Sequence, residues 1–119
     1  MKVEIRVSSN FKKEAKPLLK KYPSFLDDLA QLEHELLDNP QFGTPLGHNA
    51  YKIRLRIKSK GRGKSGGARV ISYLETEVVV WAEKEEDWTI VNLLSVYDKS
   101  EKETLSDADL QRLIAGLSE

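Results

Sequence analysis

The chain has 119 residues, no cysteine, two histidines, and 19 basic against 19 acidic side chains. That length predicts one domain, residues 1–119, burying roughly 65% of its unfolded surface. The missing cysteines exclude a disulfide framework and a thiolate metal site. With His34 and His48 as the only imidazoles, no metal and no cofactor is expected. The longest uncharged apolar run, Val78 to Ala82, is far too short to cross a bilayer. The opening MKVEIRVSS alternates in charge and carries no secretory pattern, so a soluble cytoplasmic protein with no membrane partner is expected.

The zero net charge conceals an asymmetry. Asn39 to Leu74 holds eight basic residues (Lys52, Arg54, Arg56, Lys58, Lys60, Arg62, Lys64 and Arg69) and no acidic one, leaving 11 basic against 19 acidic elsewhere. A field so divided attracts a polyanion at one face and a basic or amphipathic partner at another.

Lys2–Ser8 alternates, with Val3, Ile5 and Val7 on one face, and predicts a half-buried strand. Ser9 or Asn10 is placed to cap a helix whose apolar stripe is Phe11, Ala15, Leu18 and Tyr22, with a kink or break expected at Pro17. A second helix follows Pro23-Ser24. Ser24 and Asp27 form a capping-box variant there, and Phe25, Leu29, Leu32 and Leu36 make its buried face. The short turn between them predicts an antiparallel helical hairpin lying on a sheet.

Residues 40–50 read as a loop. Tyr51–Lys58 alternates strictly, with Ile53, Leu55 and Ile57 inward and Lys52, Arg54, Arg56 and Lys58 outward. A glycine-rich basic connection, Ser59–Gly67, leads to strands at Ala68–Leu74, Val78–Ala82 and Ile90–Tyr97, with an acidic turn at Glu83–Asp87. Ser106 and Asp109 form another capping box, opening a short helix with Leu110, Leu113, Ile114 and Leu117 on one side. The order is β-α-α-β-β-β-β-α, an α+β fold: a mostly antiparallel sheet packed by an N-terminal helical hairpin, with a short C-terminal helix.

Alternate residues of a strand project from one face, so Lys52, Arg54, Arg56 and Lys58 stand in a row. Their mutual repulsion costs about a few tenths of a kcal/mol per neighbouring pair. A polyphosphate backbone relieves that repulsion and releases counterions; a merely solvated strand face is the competing reading. Lys60–Ser65 (KGRGKS) fails as a nucleotide loop, because the glycine that pattern needs at position 58 is Lys58 and a strand follows instead of a helix. A basic loop settling on RNA phosphates is the better reading. His48, in the loop before the basic strand, is a further, weak candidate. Trp81 and Trp88 read as core and rim residues.

Four stretches carry a resemblance that spans nearly the whole chain: Phe11-Lys12-Lys13-Glu14-Ala15, Tyr51-Lys52-Ile53-Arg54, Gly63 to Ile71, and Val96-Tyr97-Asp98-Lys99-Ser100-Glu101-Lys102-Glu103. In that order and spacing they resemble the RelE/ParE superfamily of bacterial toxins, and within it the RelE/HigB-like branch. The resemblance implies a RelE-like fold and a ribosome-dependent mRNA endonuclease, an mRNA interferase that inhibits translation as the toxin of a type II toxin–antitoxin module. It implies cleavage of mRNA in the ribosomal A site, beside rRNA, without a metal, by attack of a ribose 2′-OH on the adjacent phosphate. That chemistry needs a base, a cation for the phosphorane and an acid for the leaving oxygen.

The resemblance carries over to Lys52 and Arg54 as the basic pair, Arg69 as the phosphate clamp, Lys99 as the basic residue after the last strand, and Tyr97 as stand-in for a tyrosine that some members place further on. Arg56, Lys58, Lys60, Arg62 and Lys64 are then RNA-binding candidates. Which group is base and which acid stays open. The near-zero net charge, the arginine at position 54 where lysine is frequent, and the long Ser59–Gly67 connection depart from the family pattern. The family further implies an antitoxin partner, expected to dock a helix on the sheet and helical hairpin and shield the basic patch with its own acids. Two other functions fit the same fold: a non-catalytic ParE-like toxin that binds gyrase, and an inactive binding module.

Overall fold

The structure, a computed structural model, describes residues 2–60, 67–99 and 105–118. Five strands and three helices follow in the order β1 (Lys2–Val7), α1 (Ser9–Lys21), α2 (Phe25–Asp38), β2 (Thr44–Gly47), β3 (Ala50–Arg56), β4 (Gly67–Trp81), β5 (Lys84–Asp98) and α3 (Asp107–Ala115). Short 3-10 turns occupy Lys58–Lys60 and Gly116–Ser118. The sheet order is β1-β5-β4-β3-β2; β1 runs parallel to β5 and every other pair is antiparallel. The α+β architecture is the expected one. Among the described residues no helix is long and apolar enough to cross a membrane.

The two faces of the sheet carry separate cores. On one, Phe11, Ala15 and Leu18 of α1 and Phe25, Leu32 and Leu36 of α2 pack on Ile53, Leu55, Val70, Val91, Leu93 and Val96. On the other, Leu110 of α3 packs on Ala50, Ile71, Leu94 and Tyr97. Each fully buried Leu, Ile, Val or Phe contributes about 1.5–3 kcal/mol, so the helical stripes hold this fold more than helix propensity does.

Several local expectations are corrected. Helix α1 is continuous through Pro17. The proline lies on the exposed side, so the Lys13 carbonyl it leaves without a helical donor faces solvent. The cap of α1 is Ser8, whose Oγ accepts from Phe11 N at 3.0 Å. Ser24 makes no side-chain cap at all. Its hydroxyl donates instead to Asp28 Oδ2 (2.7 Å) and lies 2.9 Å from Ser59 Oγ. Ser106 does cap α3, accepting from Asp109 N at 3.0 Å.

The expected strands at Ala68–Leu74 and Val78–Ala82 are one 15-residue strand, and the acidic stretch Glu83–Asp87 is mostly the start of β5. The reversal takes only Ala82 and Glu83, both at positive φ (40° and 75°), between the pair Trp81–Lys84. Two such residues form the mirror-image turn whose twist matches flanking strands, here without the usual glycine. Residues 40–50 are likewise not all loop. Thr44–Gly47 pairs with β3 through a similar turn at His48 and Asn49, with φ of 55° and 60°.

One irregularity sets the geometry of the site. In the β4–β5 register Ile71 faces Ser95 but Ser72 faces Leu93, so Leu94 is an extra residue, a β-bulge. Its carbonyl accepts from Ser8 Oγ (3.2 Å) and Asn10 Nδ2 (3.0 Å). Beyond the bulge the alternation is inverted. Leu93 and Val96 share the helical-hairpin face, and Leu94 and Tyr97 share the α3 face.

Candidate functional site

Strand β3 is built by the alternation its sequence announces. Ile53 and Leu55 are buried against the helical hairpin, while Arg54 and Arg56 are exposed and Lys52 half-buried on the opposite face. Lys58 is not in this row, because β3 ends at Arg56 and Lys58 begins a 3-10 turn. Its backbone N–H donates to the buried Asp28 at 3.2 Å.

The sheet register brings Arg54, Arg69 and Tyr97 side by side across three strands, with Arg54 facing Arg69 and Arg69 facing Tyr97. Neighbouring strands lie about 4.8 Å apart, so a second cation stands directly behind the exposed row. Lys52 extends the row one pair further, opposite Ile71 and Ser95. Among the described residues no carboxylate lies within ion-pair distance of Lys52, Arg54, Arg56 or Arg69.

Arg69 is only 8% exposed and its Nη1 donates to the carbonyl of Ala68 at 3.3 Å. Gly67 makes room for this. A Cβ there would stand 2.8 Å from the Leu55 carbonyl oxygen and 3.8 Å from Arg69 Nη1, so a side chain would push β3 away from β4. Tyr97 is 6% exposed and packs in the cluster that holds Leu110. Burial pushes its phenol above the usual tyrosine range; the Arg69 charge opposes this and that of Glu14 adds to it. The phenol is therefore neutral at physiological pH. Because the folded form holds the proton more tightly, this group stabilises fully below about pH 10, and that stability is lost as pH rises above it. Urea unfolding of Tyr97→Phe is accordingly expected to show a smaller loss of stability than wild type from about pH 10 upward. Equal slopes would contradict the burial argument.

Glu14 is a neighbour that the basic pattern in the sequence does not point to. Its Oε1 accepts from Ser95 Oγ (2.6 Å) and Asn10 Nδ2 (2.7 Å). It lines a cleft of about 400 Å³ between the start of α1 and α3, with Ser8, Ser95, Asp109 and Arg112. The signal was present: Glu14 lies three residues after Phe11 and four before Leu18, a carboxylate within an apolar stripe.

The remaining candidates are placed elsewhere. Lys60 lies on the helical-hairpin side. Its ammonium is 3.0 Å from Oδ1 of the buried Asp98 and 5.4 Å from the Tyr22 ring centroid, while Tyr22 OH donates to Asp98 Oδ2 at 2.9 Å. His48 occupies the β2–β3 turn, exposed, with Nε2 3.3 Å from Asp107 Oδ1 of α3. The register sets that turn beyond Ala50, away from the Arg54–Arg69–Tyr97 line. Lys99 is exposed one residue past β5. Arg62 and Lys64 lie outside the described residues. Trp88 is half-buried beneath Lys2, but Trp81 is no core residue: it is 66% exposed at the tip of the β4–β5 hairpin.

No protein-family model matches the chain. Among solved structures, the chain is similar to the toxin RelE of E. coli in the free state, in a form with two arginines replaced by alanine. The TM-score is 0.54 with 19% identity, covering 97% of each chain. The likeness establishes a RelE-like fold.

Proposed function

We propose that this chain is the toxin of a type II toxin–antitoxin pair, of the RelE/HigB-like branch, and cuts mRNA in the ribosomal A site as a metal-independent endoribonuclease. The observation that carries this reading is the row Lys52, Arg54 and Arg56 backed by Arg69, four cations on adjacent strands without a carboxylate at ion-pair distance among the described residues. A fold that tolerates such repulsion is relieved of it by phosphates. The RelE-like fold supports the reading, as do the matching stretches Tyr51–Arg54 and Val96–Glu103.

In this reading Arg54 and Arg56 grip the RNA backbone, with Lys58, Arg62, Lys64 and the exposed Lys99 extending the positive field. The ribose 2′-oxygen attacks the neighbouring phosphorus, its proton passing to solvent. Arg54 and Arg69 take up the charge of the phosphorane. Lys52 gives a proton to the leaving 5′-oxygen, so the products are a cyclic phosphate and a 5′-hydroxyl. Tyr97, buried beside Arg69, acts as a positioning residue that fixes the guanidinium. An antitoxin that neutralises the row completes the pair, and the ribosomal target places the protein in the cytoplasm.

Primer extension on a translated mRNA tests this, using purified protein with and without ribosomes and with EDTA added to pre-bound complexes. Discrete cuts that need ribosomes and survive EDTA are expected. No cuts from folded protein would overturn the proposal in favour of a gyrase-binding toxin or an inactive relative.

A further inference from the structure

The molecule measures 52 × 30 × 23 Å, and much of its long axis is the outer half of the β4–β5 hairpin. The pairing of β3 with β4 ends at Ala50–Tyr73, with Leu74 N still donating to Asn49 O; that of β1 with β5 ends at Lys2–Trp88. From Glu75 to the tip, therefore, the β4 edge has no neighbouring strand among the described residues. The strand is nonetheless apolar there. Val78, Val80 and Trp81 are 57%, 65% and 66% exposed. Edges of this kind, without proline or lysine, are templates for another strand.

The charges select what that strand is. Glu75 to Asp87 holds six carboxylates and one lysine. By the register, one face of the arm carries Thr76, Val78 and Val80, backed by Thr89, Asp87 and Glu85; the other carries Glu75, Glu77, Val79 and Trp81, backed by Ile90, Trp88, Glu86 and Lys84, with Arg6 3.2 Å from Glu77. We infer that the edge Glu75–Trp81 is a docking strip for an extended segment of another protein in which apolar and basic residues alternate. The apolar side chains of such a segment lie beside Val78 and Val80. Its cations lie beside Glu75, Glu77 and Glu86, three carboxylates on a face to which Arg6 and Lys84 bring two cations. RNA is repelled by this acidic arm, and a second copy pairing there would oppose two arms of the same sign.

The test uses the full chain and three synthetic nine-residue peptides that alternate valine with lysine, serine with lysine, and valine with glutamate. Amide hydrogen exchange is expected to slow at Glu75–Trp81 with the valine–lysine peptide. The other two peptides, and the variant Val78→Thr/Val80→Thr, are expected to bind about tenfold more weakly or less. Four results would each overturn the proposal: no binding at millimolar peptide, protection centred on Lys52–Arg56, equal binding by the serine–lysine peptide, or dimerisation through this arm in sedimentation.

Discussion

Arg69→Met is expected to lower ribosome-dependent mRNA cleavage about 100-fold, the scale seen when one preorganised donor to a developing oxyanion is removed. The residue faces Arg54 across the ladder and is buried, so its charge acts through a poorly screened medium. At about 5 Å and an effective dielectric of about 20, one unit of charge is worth on the order of 3 kcal/mol. Methionine keeps most of the volume against Gly67 and Tyr97, so the fold should survive, and removing a cation opposite Arg54 relieves repulsion. Arg54→Met should weaken RNA binding in a salt-dependent manner, because that side chain is exposed. Single-turnover cleavage on programmed ribosomes, with circular dichroism for folding, reads both. Full activity in a folded Arg69→Met protein would remove the phosphate-clamp assignment.

Stability rests most sharply on another cation. Lys60→Met is expected to cost about 3–5 kcal/mol in urea unfolding, because it leaves the Asp98 carboxylate buried without the Lys60 ammonium. Asp98 is 1% exposed and the Lys60 side chain 14%. The converse change, Asp98→Ala, should cost less, since a lysine near the surface can turn its ammonium to water. The double variant Lys60→Met/Asp98→Ala should be less destabilised than the sum of the two, the mark of direct coupling. Additive costs would mean the pair is incidental. Lys60 was an RNA-binding candidate by sequence; the ion pair instead fastens the segment after β3 to the end of β5.

The sequence was most readable where one face of an element is buried. The alternation in Tyr51–Arg56, and the stripe Phe25, Leu29, Leu32 and Leu36, each reflect a single apolar surface that must be covered; in the first strand only Val3 and Ile5 reach the core, and Val7 is exposed. The reading failed where that condition lapses. Glu75-Thr76-Glu77 looked like a break because its residues are polar, yet a two-stranded ribbon wet on both faces accepts them. The turn at Ala82 and Glu83 lacks glycine and gave no signal. Of the site, the row Lys52, Arg54 and Arg56 was visible as a local pattern. The burial of Arg69 and Tyr97 was not, nor was the partnership of Lys60 with Asp98. Those depend on residues 28 apart (Arg69 and Tyr97) or 38 apart (Lys60 and Asp98) and on which strand lies beside which.

The bulge at Leu94 divides the long hairpin into two stretches of opposite phase. Were β5 to slide by one residue along β4, the Leu94 carbonyl would leave Ser8 and Asn10, and Tyr97 would turn from Arg69 toward the helical hairpin. Ser8 and Asn10 thus act as a catch on the sliding of the two strands. A catch placed there protects only the inner stretch. Beyond it, matched pairs such as Val78 with Asp87 or Val80 with Glu85 are free to be added or deleted together. Arm length and site geometry are therefore separate variables in this fold.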